Sequence, residues 1–216
     1  MSLWQDFMTN SGKPVGKWVH YFPVYEKHFS TWKNRSLTFL EIGVAQGGSL
    51  QMWQRYFGSR AIIIGIDISP ECKKHESPGI YIRTGDQSDH GFLQELVDEF
   101  GVPDIVLDDG SHYMDHMFST FSFFYPRMHK NAIYMLEDVH TAYHKHHLHG
   151  GGLDSPDSFV NIAKTFVDKL NADHTLGQVQ PDVITRETFC ISFYDSMICF
   201  EKGNVWWKQH MVTGHE

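Results

Sequence analysis

The most constraining feature of the sequence is the stretch Asp104–His112, which reads DIVLDDGSH. A short apolar run ends in two carboxylates, which are followed by a glycine, a serine and a histidine. This order is typical of a buried parallel strand that delivers ionisable side chains to the carboxyl edge of a sheet. A second apolar run, residues 132–136, ends in the same way, in Glu137 and Asp138.

Two neighbouring strand ends of this kind bring up to four carboxylates and a histidine to one crevice. So much negative charge in one place is costly unless a cation lies among the carboxylates. Carboxylates without a nearby cysteine suit Mg²⁺, which prefers oxygen ligands and leaves positions open to water or substrate oxygens. His112 follows Asp109 by three residues and could accept a proton near neutral pH. The sequence therefore predicts a hard-metal site with a base beside it.

The residues before this stretch predict an α/β fold. Residues 37–43 read as a strand, residues 44–49 as a glycine-containing turn, and residues 50–57 as a helix with one apolar face. The β-branched run 61–66 then ends in Asp67, 24 residues after Gly43. An acidic residue at the end of the second strand is the arrangement that holds a ribose diol.

The following chain continues the alternation of strands and helices. Residues 80–84 predict a strand that leads to Asp86 and Gln87, and Ser88 is expected to cap a helix that Gly101 stops. Met117, Phe121, Phe124 and Met128 mark a further buried helical stripe.

The last third of the chain predicts a loop, a helix and a hairpin. His140–Gly152 holds five histidines and three consecutive glycines, which is typical of a mobile loop. Ser155 and Pro156 predict the start of a helix. Residues 183–188 and 189–201 are expected to form a hairpin that closes the sheet, with a turn at residues 202–204. We expect two regions in all, a helical lid over residues 1–36 and one domain over residues 37–216.

Composition narrows the possible partners and surroundings. The 216 residues carry a formal net charge of −8, which leaves no basic face for nucleic acid, so we expect a small partner. Three scattered cysteines argue against a disulfide framework or a zinc site. No apolar run approaches the roughly 18–20 residues of a membrane span, and the first residues lack the order of a signal peptide. We therefore expect a cytoplasmic protein without membrane contact.

Residues 41–49, EIGVAQGGS, resemble the first motif of the class I S-adenosylmethionine-dependent methyltransferases, Glu/Asp-x-Gly-x-Gly-x-Gly, with Ala45 at the middle glycine. Glycines let the backbone approach the methionine part of the cofactor, and the acid can favour its cationic groups. A nicotinamide-binding turn is the main alternative, but Glu41 would repel a pyrophosphate. A purely structural glycine turn also stays open.

The wider resemblance is to the metal-dependent sugar O-methyltransferases of macrolide and related pathways, a family that also contains proteins labelled cephalosporin hydroxylase. It is carried by the segments LEIGVAQGGSLQMW, IGIDIS, GDQSD, LDDGSH, LEDVHTAY and FYDSMICFEKG. The resemblance implies a Rossmann-like α/β fold, with a doubly wound, mostly parallel sheet and a C-terminal antiparallel hairpin strand. It also implies an enzyme that uses S-adenosylmethionine and Mg²⁺ to methylate a hydroxyl group, on a glycoside acceptor, and that assembles as a homo-oligomer.

The resemblance also assigns roles to individual residues. The implied metal ligands are Asp109, Glu137 and Asp138, and the implied catalytic base is His112. The implied cofactor-binding residues are Glu41, Gly43, Gly47, Ser49, Asp67, Asp86, Gln87, Asp108, Lys17 and Tyr21. Strand alternation qualifies this assignment, because adjacent strand residues face opposite ways. Asp108 is therefore expected to face away from the metal and to brace the turn. Asp138 follows Glu137 directly, so by the same alternation it could also face away from the metal.

Two other functions remain open at this point. His112 and His116 have the spacing of ligands for iron, which would favour a non-haem iron hydroxylase, although such sites use two histidines and one carboxylate. A cofactor-binding protein without turnover is the second alternative. The histidines of the loop 140–152 are interpreted as part of an acceptor-side lid.

Overall fold

In a computed structural model, residues 1–145, 150–203 and 210–214 are described. They form a seven-stranded sheet with the strand order β3-β2-β1-β4-β5-β7-β6. The strands are β1 (Leu37–Ile42), β2 (Ala61–Asp67), β3 (Ile80–Thr84), β4 (Ile105–Asp108), β5 (Ile133–Leu136), β6 (Thr188–Tyr194) and β7 (Met197–Lys202). Strands β1 to β5 are parallel, whereas β7 pairs antiparallel with both β5 and β6. The predicted mostly parallel sheet with a C-terminal antiparallel hairpin is confirmed.

The helices connect the strands and cover both faces of the sheet. They are α1 (Leu3–Met8), α2 (Phe22–Phe29), α3 (Gly48–Phe57), α4 (His90–Phe100), α5 (Met114–Phe124), α6 (Phe159–Leu170) and α7 (Val183–Glu187). Among the described residues, no helix has the length and apolar character needed to cross a membrane.

Two apolar layers hold the sheet, one on each face. Phe39 and Leu40 are adjacent in β1 and contribute to opposite layers, as strand alternation requires. Such two-sided burial explains why the parallel strands are almost continuously apolar.

The N-terminal residues belong to the layer that contains α3. Tyr25 and Phe29 on α2 are fully buried, and both pack on Trp53 of α3 with ring centroids 5.1 and 5.8 Å apart. Leu3 at the start of α1 is buried in the same layer. Residues 1–36 therefore contain the helices α1 and α2, which pack on α3, while the division into a helical lid and one domain stays a prediction.

The hairpin lies slightly later in the chain than predicted. Residues 183–188 were expected as a strand, but Val183–Glu187 is the short helix α7. The Asp182 side chain accepts hydrogen bonds from the N–H groups of Ile184 and Thr185, and the Thr185 hydroxyl oxygen accepts one from the N–H group of Asp182. This capping box outweighs the strand preference of the β-branched residues. The hairpin itself is β6 and β7, joined at Asp195 and Ser196.

Two helix starts also differ from the predicted positions. Asp89, not Ser88, caps α4, because its carboxylate accepts from the N–H groups of Gly91 and Phe92. Helix α6 begins at Phe159 with Ser158 as its cap, three residues after the predicted Ser155.

Two further predicted segments are only partly described. The predicted loop 140–152 contains the end of a short 3₁₀ helix, Val139–Tyr143, and residues 146–149 lie outside the described residues. The predicted turn at 202–204 begins at the last residue of β7, and residue 204 also lies outside the described residues.

Candidate active site

The turn after β1 approaches the turn after β4 very closely. Gly43 has a φ of 94°, and a Cβ atom added there would lie 2.1 Å from the carbonyl oxygen of Asp109. Only glycine fits this contact and this backbone conformation. Ala45 has a φ of 46°, so it adopts the left-handed conformation at the position where the family motif has a glycine.

Asp67 at the end of β2 is held by backbone donors. One carboxylate oxygen accepts from the N–H groups of Val44 and Ala45 at 2.9 and 3.1 Å, and the other accepts from Ser69 N–H at 2.8 Å. Burial raises the pKa of Asp67, but these three hydrogen bonds outweigh burial and hold the pKa below its usual value. Backbone N–H groups therefore stabilise the Asp67 carboxylate, which has no ion-pair partner among the described residues.

A cavity of about 430 Å³ opens beside these turns, and we call it the glycine-turn cavity. It contains four of the predicted cofactor residues, Gly43, Asp67, Asp86 and Gln87. Its lining residues are Ile42, Gly43, Ile66, Asp67, Ile68, Gly85, Asp86, Gln87, Gly110, Ser111, Tyr113 and His116. Its size is in the range of pockets for small organic ligands.

Glu41, Gly47 and Ser49 are not among the described residues that line this cavity. Glu41 is fully buried and accepts hydrogen bonds from Ser49 Oγ at 2.6 Å and Trp53 Nε1 at 3.2 Å. Burial raises the pKa of Glu41, and a nearby lysine, Lys17, opposes that shift. These residues therefore link the glycine turn to the carboxylates of the neighbouring strand ends.

Asp108 faces away from Asp109, as strand alternation predicts. It is fully buried and accepts hydrogen bonds from Gln87 Nε2 at 3.2 Å and Tyr134 OH at 3.0 Å. Burial raises the pKa of Asp108 to about 7, although both hydrogen bonds act against this shift. Gln87 in turn accepts from Ser111 N–H at 2.8 Å. The side chain thus braces the wall of the cavity through Gln87, and a direct cofactor contact stays a prediction.

Asp109, Glu137 and Asp138, which we call the carboxylate cluster, line a second cavity of about 340 Å³. The N-terminal segment forms the rest of its wall, with Gly16, Lys17, Trp18, Val19 and Tyr21. The turn after β4 and the turn after β5 are thus brought together, as predicted. The metal-ligand roles of these carboxylates stay predictions.

Lys17 lies in the middle of the acidic groups. Its ammonium group donates to Asp109 Oδ2 at 2.7 Å, Glu137 Oε2 at 2.9 Å and Glu41 Oε1 at 3.3 Å, and its side chain is only 2% exposed. Burial lowers the pKa of Lys17, but the carboxylates outweigh burial and raise the pKa well above its usual value. The predicted cofactor residue Lys17 therefore contacts the carboxylate cluster with its charged end.

Two tyrosines complete these contacts. Tyr25 OH donates to Glu137 Oε1 and Tyr21 OH donates to Asp138 Oδ1, both at 2.5 Å. Asp138 has a φ of 52°, so it leaves the strand geometry and turns toward the same side as Glu137. Burial raises the pKa of Glu137 above its usual range, and the Lys17 ammonium opposes this shift.

His112 lies opposite the carboxylates of Asp109 and Asp138. Its Nε2 atom is 4.0 Å from Asp109 Oδ1 and 3.8 Å from Asp138 Oδ2. One donor atom from each of the three residues lies within 4.8 Å of the other two. The free oxygens of Asp109 and Asp138 in this group are hard donors of the kind that a divalent cation such as Mg²⁺ prefers. The residues present therefore fit the predicted metal.

His116 does not join His112 in this arrangement. Its ring borders the glycine-turn cavity, and its Nδ1 atom is 3.0 Å from Ser111 Oγ. Among the described residues, the group around His112 contains one imidazole and two carboxylates. This composition disfavours the two-histidine iron site considered from the spacing of His112 and His116.

A third cavity of about 490 Å³ adjoins the carboxylate cluster through His140. His140 lines this cavity, and its Nδ1 atom lies 2.5 Å from Ser196 Oγ and 3.8 Å from Asp138 Oδ1. Mostly apolar side chains form the walls, including Val160, Val167 and Phe193. The later loop histidines 146, 147 and 149 lie outside the described residues, so the acceptor-side lid stays a prediction.

Sequence reasoning did not single out Tyr25. A usable signal was present, because Lys17, Tyr21 and Tyr25 recur every four residues. On a helical segment this spacing places side chains on one face, although Lys17 itself lies just before the 3₁₀ helix Val19–Tyr21. The partners of these residues in the carboxylate cluster are 92 to 120 residues away, so no local pattern indicates this contact.

Comparison with known proteins gives close individual matches, although no family model matches the chain. The chain is 38% identical over 197 residues to 8-demethyl-8-alpha-L-rhamnosyl tetracenomycin-C 2'-O-methyltransferase of Streptomyces olivaceus. The aligned region covers 86% of this chain and 51% of that protein. It is 34% identical over 203 residues to demethylmacrocin O-methyltransferase of Streptomyces fradiae, and this aligned region covers 87% of this chain and 50% of that protein.

Comparison with solved structures also finds a methyltransferase. The MycE methyltransferase from the mycinamycin biosynthetic pathway, in complex with Mg, SAH and mycinamycin VI, matches with a TM-score of 0.81 and 28% identity. The match covers 94% of this chain and 53% of that chain. The predicted family resemblance is confirmed. The fold is that of a class I methyltransferase, and the relatives are sugar O-methyltransferases of macrolide and tetracenomycin pathways.

The similarity to the sugar O-methyltransferases extends over only part of their length. The chain spans about half the length of the curated relatives that it matches. The glycine-turn cavity and the carboxylate cluster both lie within this chain.

Proposed function

We propose that this chain carries the active site of an S-adenosylmethionine- and Mg²⁺-dependent O-methyltransferase that acts on a sugar hydroxyl of a glycosylated secondary metabolite. The observation that carries the proposal is the contact between the two parts of the site. At Gly43 the turn of the glycine-turn cavity touches the backbone of Asp109, so a ligand in the cavity would lie beside the carboxylate cluster. The similarity to O-methyltransferases of glycosylated antibiotics supports the same function.

The glycine-turn cavity would hold S-adenosylmethionine, which supplies the methyl group. Asp67 would accept hydrogen bonds from the ribose diol, because its carboxylate stays ionised and lies at the cavity wall. Asp86 and Gln87 would line the adenosine side, and Glu41 with Ser49 would lie toward the cationic methionine part. The small residues Gly43 and Gly47 would let the backbone approach the cofactor.

The carboxylate cluster would hold Mg²⁺, which lowers the pKa of a bound sugar hydroxyl and orients it. Asp109, Glu137 and Asp138 are the proposed ligands. His112 would accept the proton of the reacting hydroxyl at Nε2, the ring atom that faces Asp109 and Asp138. The chain's own task is then to hold the hydroxyl between His112 and the glycine-turn cavity.

The test measures S-adenosylhomocysteine formation by mass spectrometry, with S-adenosylmethionine, Mg²⁺ and rhamnosylated aromatic polyketides as acceptors. His112→Ala is expected to lower the rate at least about 100-fold, as loss of a general base does. His129→Ala, which changes an exposed histidine outside the described cavities, is the matched control and should keep the wild-type rate. The proposal fails if the wild-type chain binds neither S-adenosylmethionine nor Mg²⁺, or if both histidine variants keep the wild-type rate.

We further propose a glycoside as the acceptor and a homo-oligomer in the cytoplasm as the working form. The glycosylated molecules in the relatives' names support the acceptor class. The number of subunits and the location stay predictions.

A further inference from the structure

The carboxylate cluster is held from one side by the N-terminal segment. Lys17, Tyr21 and Tyr25 each donate a hydrogen bond to at least one of its three carboxylates. We propose that these three residues are positioning residues for the metal, which orient the carboxylates so that their remaining lone pairs converge on one cation. This inference rests on the proposed function, because it concerns the same metal site.

Asp138 shows the arrangement most clearly. Tyr21 OH donates to Asp138 Oδ1 at 2.5 Å and accepts from the N–H group of Asp138 at 3.2 Å. One phenol thus fixes both the side chain and the left-handed backbone of Asp138. The second oxygen, Oδ2, is left facing His112 at 3.8 Å.

Asp109 repeats this division between its two oxygens. Its Oδ2 atom accepts from Lys17 at 2.7 Å, and its Oδ1 atom faces His112 at 4.0 Å. Glu137 uses one oxygen for Tyr25 and the other for Lys17. An ionised carboxylate has about four lone-pair sites, so Glu137 can still offer one to a metal.

The donors themselves are firmly placed. Tyr25 is fully buried, and its ring packs on Trp53 at 5.1 Å and on Phe29 at 6.0 Å. Tyr21 is also fully buried and lies edge-on to Tyr25 at 6.2 Å. Fixed outer partners of this kind orient metal ligands, and their loss typically lowers metal affinity about 10–100-fold.

The test is isothermal titration of the full chain with MgCl₂, comparing wild type, Tyr21→Phe and Tyr25→Phe. Each substitution removes one hydroxyl and keeps the ring. We expect Mg²⁺ affinity to fall about 10–100-fold in each variant. Mg²⁺ affinity within about 2-fold of wild type in both variants would overturn the inference.

Tyr56→Phe is the matched control. Tyr56 is also buried in the α3 layer and donates to a glutamate, Glu26, at 2.9 Å, but Glu26 is not part of the carboxylate cluster. A merely structural role for the hydroxyls predicts similar losses of thermal stability, and unchanged Mg²⁺ affinity, in Tyr25→Phe and Tyr56→Phe. The proposal instead predicts that, of these two variants, Tyr25→Phe loses Mg²⁺ affinity and Tyr56→Phe does not. Tyr21→Phe and Tyr25→Phe are titrated separately, so if one variant does not fold, the Mg²⁺ affinity of the other still tests the inference.

Asp109→Asn separates this inference from the proposed function. If Asp109→Asn weakens Mg²⁺ binding and the tyrosine variants do not, the positioning role alone is wrong. If Asp109→Asn binds Mg²⁺ as well as wild type, the metal site itself is wrong, and the positioning role fails with it.

Discussion

The glycine-turn cavity and the carboxylate cluster lie on the same edge of the sheet but are held in different ways. Asp67 in the cavity accepts from backbone N–H groups that are at most 23 residues away. The cluster is held by side chains of the N-terminal segment that are 92 to 120 residues away. A carboxylate held by the backbone is fixed by the fold and needs no counter-ion. Buried carboxylates held by side chains depend on a positive charge between them.

Gly43→Ala tests the place where the two parts meet and should have the largest effect. The strained φ and the clash with the Asp109 carbonyl should together lower the free energy of unfolding by roughly 2–5 kcal/mol. Urea unfolding measures the change. Gly101→Ala is the control, because Gly101 has a φ of 80° and nothing within 4 Å of an added Cβ. Equal losses in both variants would mean that the approach to Asp109 is not what requires glycine.

Asp109→Asn tests whether the carboxylate cluster acts independently of the cavity. The amide keeps the shape of the side chain but removes a negative charge, so Mg²⁺ affinity should fall about 100-fold or more. S-adenosylhomocysteine affinity should stay within about 3-fold of wild type, since Asp109 does not line the glycine-turn cavity. Calorimetry measures both. A similar loss of both ligands would indicate a folding role for Asp109.

Asp67→Asn is the reciprocal test on the cavity. Loss of a charge-assisted hydrogen bond to the cofactor should lower S-adenosylhomocysteine affinity about 10–100-fold. Mg²⁺ affinity should not change, because the hydrogen bonds of Asp67 come from Val44, Ala45 and Ser69. If the same titrations show that Mg²⁺ affinity falls as well, the two parts of the site are not independent.

The smallest expected effect is a pH dependence of stability that belongs to Asp67. Its pKa is lowered in the folded chain, so the carboxylate adds stability at pH values above about 3.9, the usual value in unfolded chains. That contribution is lost as the pH falls from this value through the folded pKa. The stability difference between wild type and Asp67→Asn should therefore shrink on acidification from pH 6 to pH 3.5. Urea unfolding across this range would contradict the prediction if the difference grew.

The glycine-turn cavity was more predictable from the sequence than the carboxylate cluster, because its contacts are local in the chain. The glycine turn, Asp67 and Asp86 each lie at or just after the end of one of the first three strands, and alternation correctly predicted that Asp108 faces away from Asp109. Alternation does not apply to Asp138, because its backbone is left-handed. The contact of Lys17 with the cluster depends on how distant segments pack, which periodicity does not report.

The fold as a whole was predictable where local signals agreed. The apolar runs of the sheet indicated strands and their parallel order, because strand ends and turn residues coincided. The prediction of a strand over residues 183–188 was wrong, because the β-branched residues favour a strand but the capping box at Asp182 favours a helix. Short segments of this kind are decided by one or two hydrogen bonds rather than by periodicity.

The distance along the chain between Lys17 and its partners also matters while the protein is being made. Glu137 lies 120 residues after Lys17, and translation adds about 5–20 residues per second, so roughly 6–24 s pass between the two. During that interval Lys17, Tyr21 and Tyr25 have been synthesised, whereas their partners Glu137 and Asp138 have not yet been added to the chain. Helices α1 and α2 can pack on α3 as soon as α3 has emerged, but the hydrogen bonds to Glu137 and Asp138 form only after β5, so the carboxylate cluster is completed later than the packing that supports it.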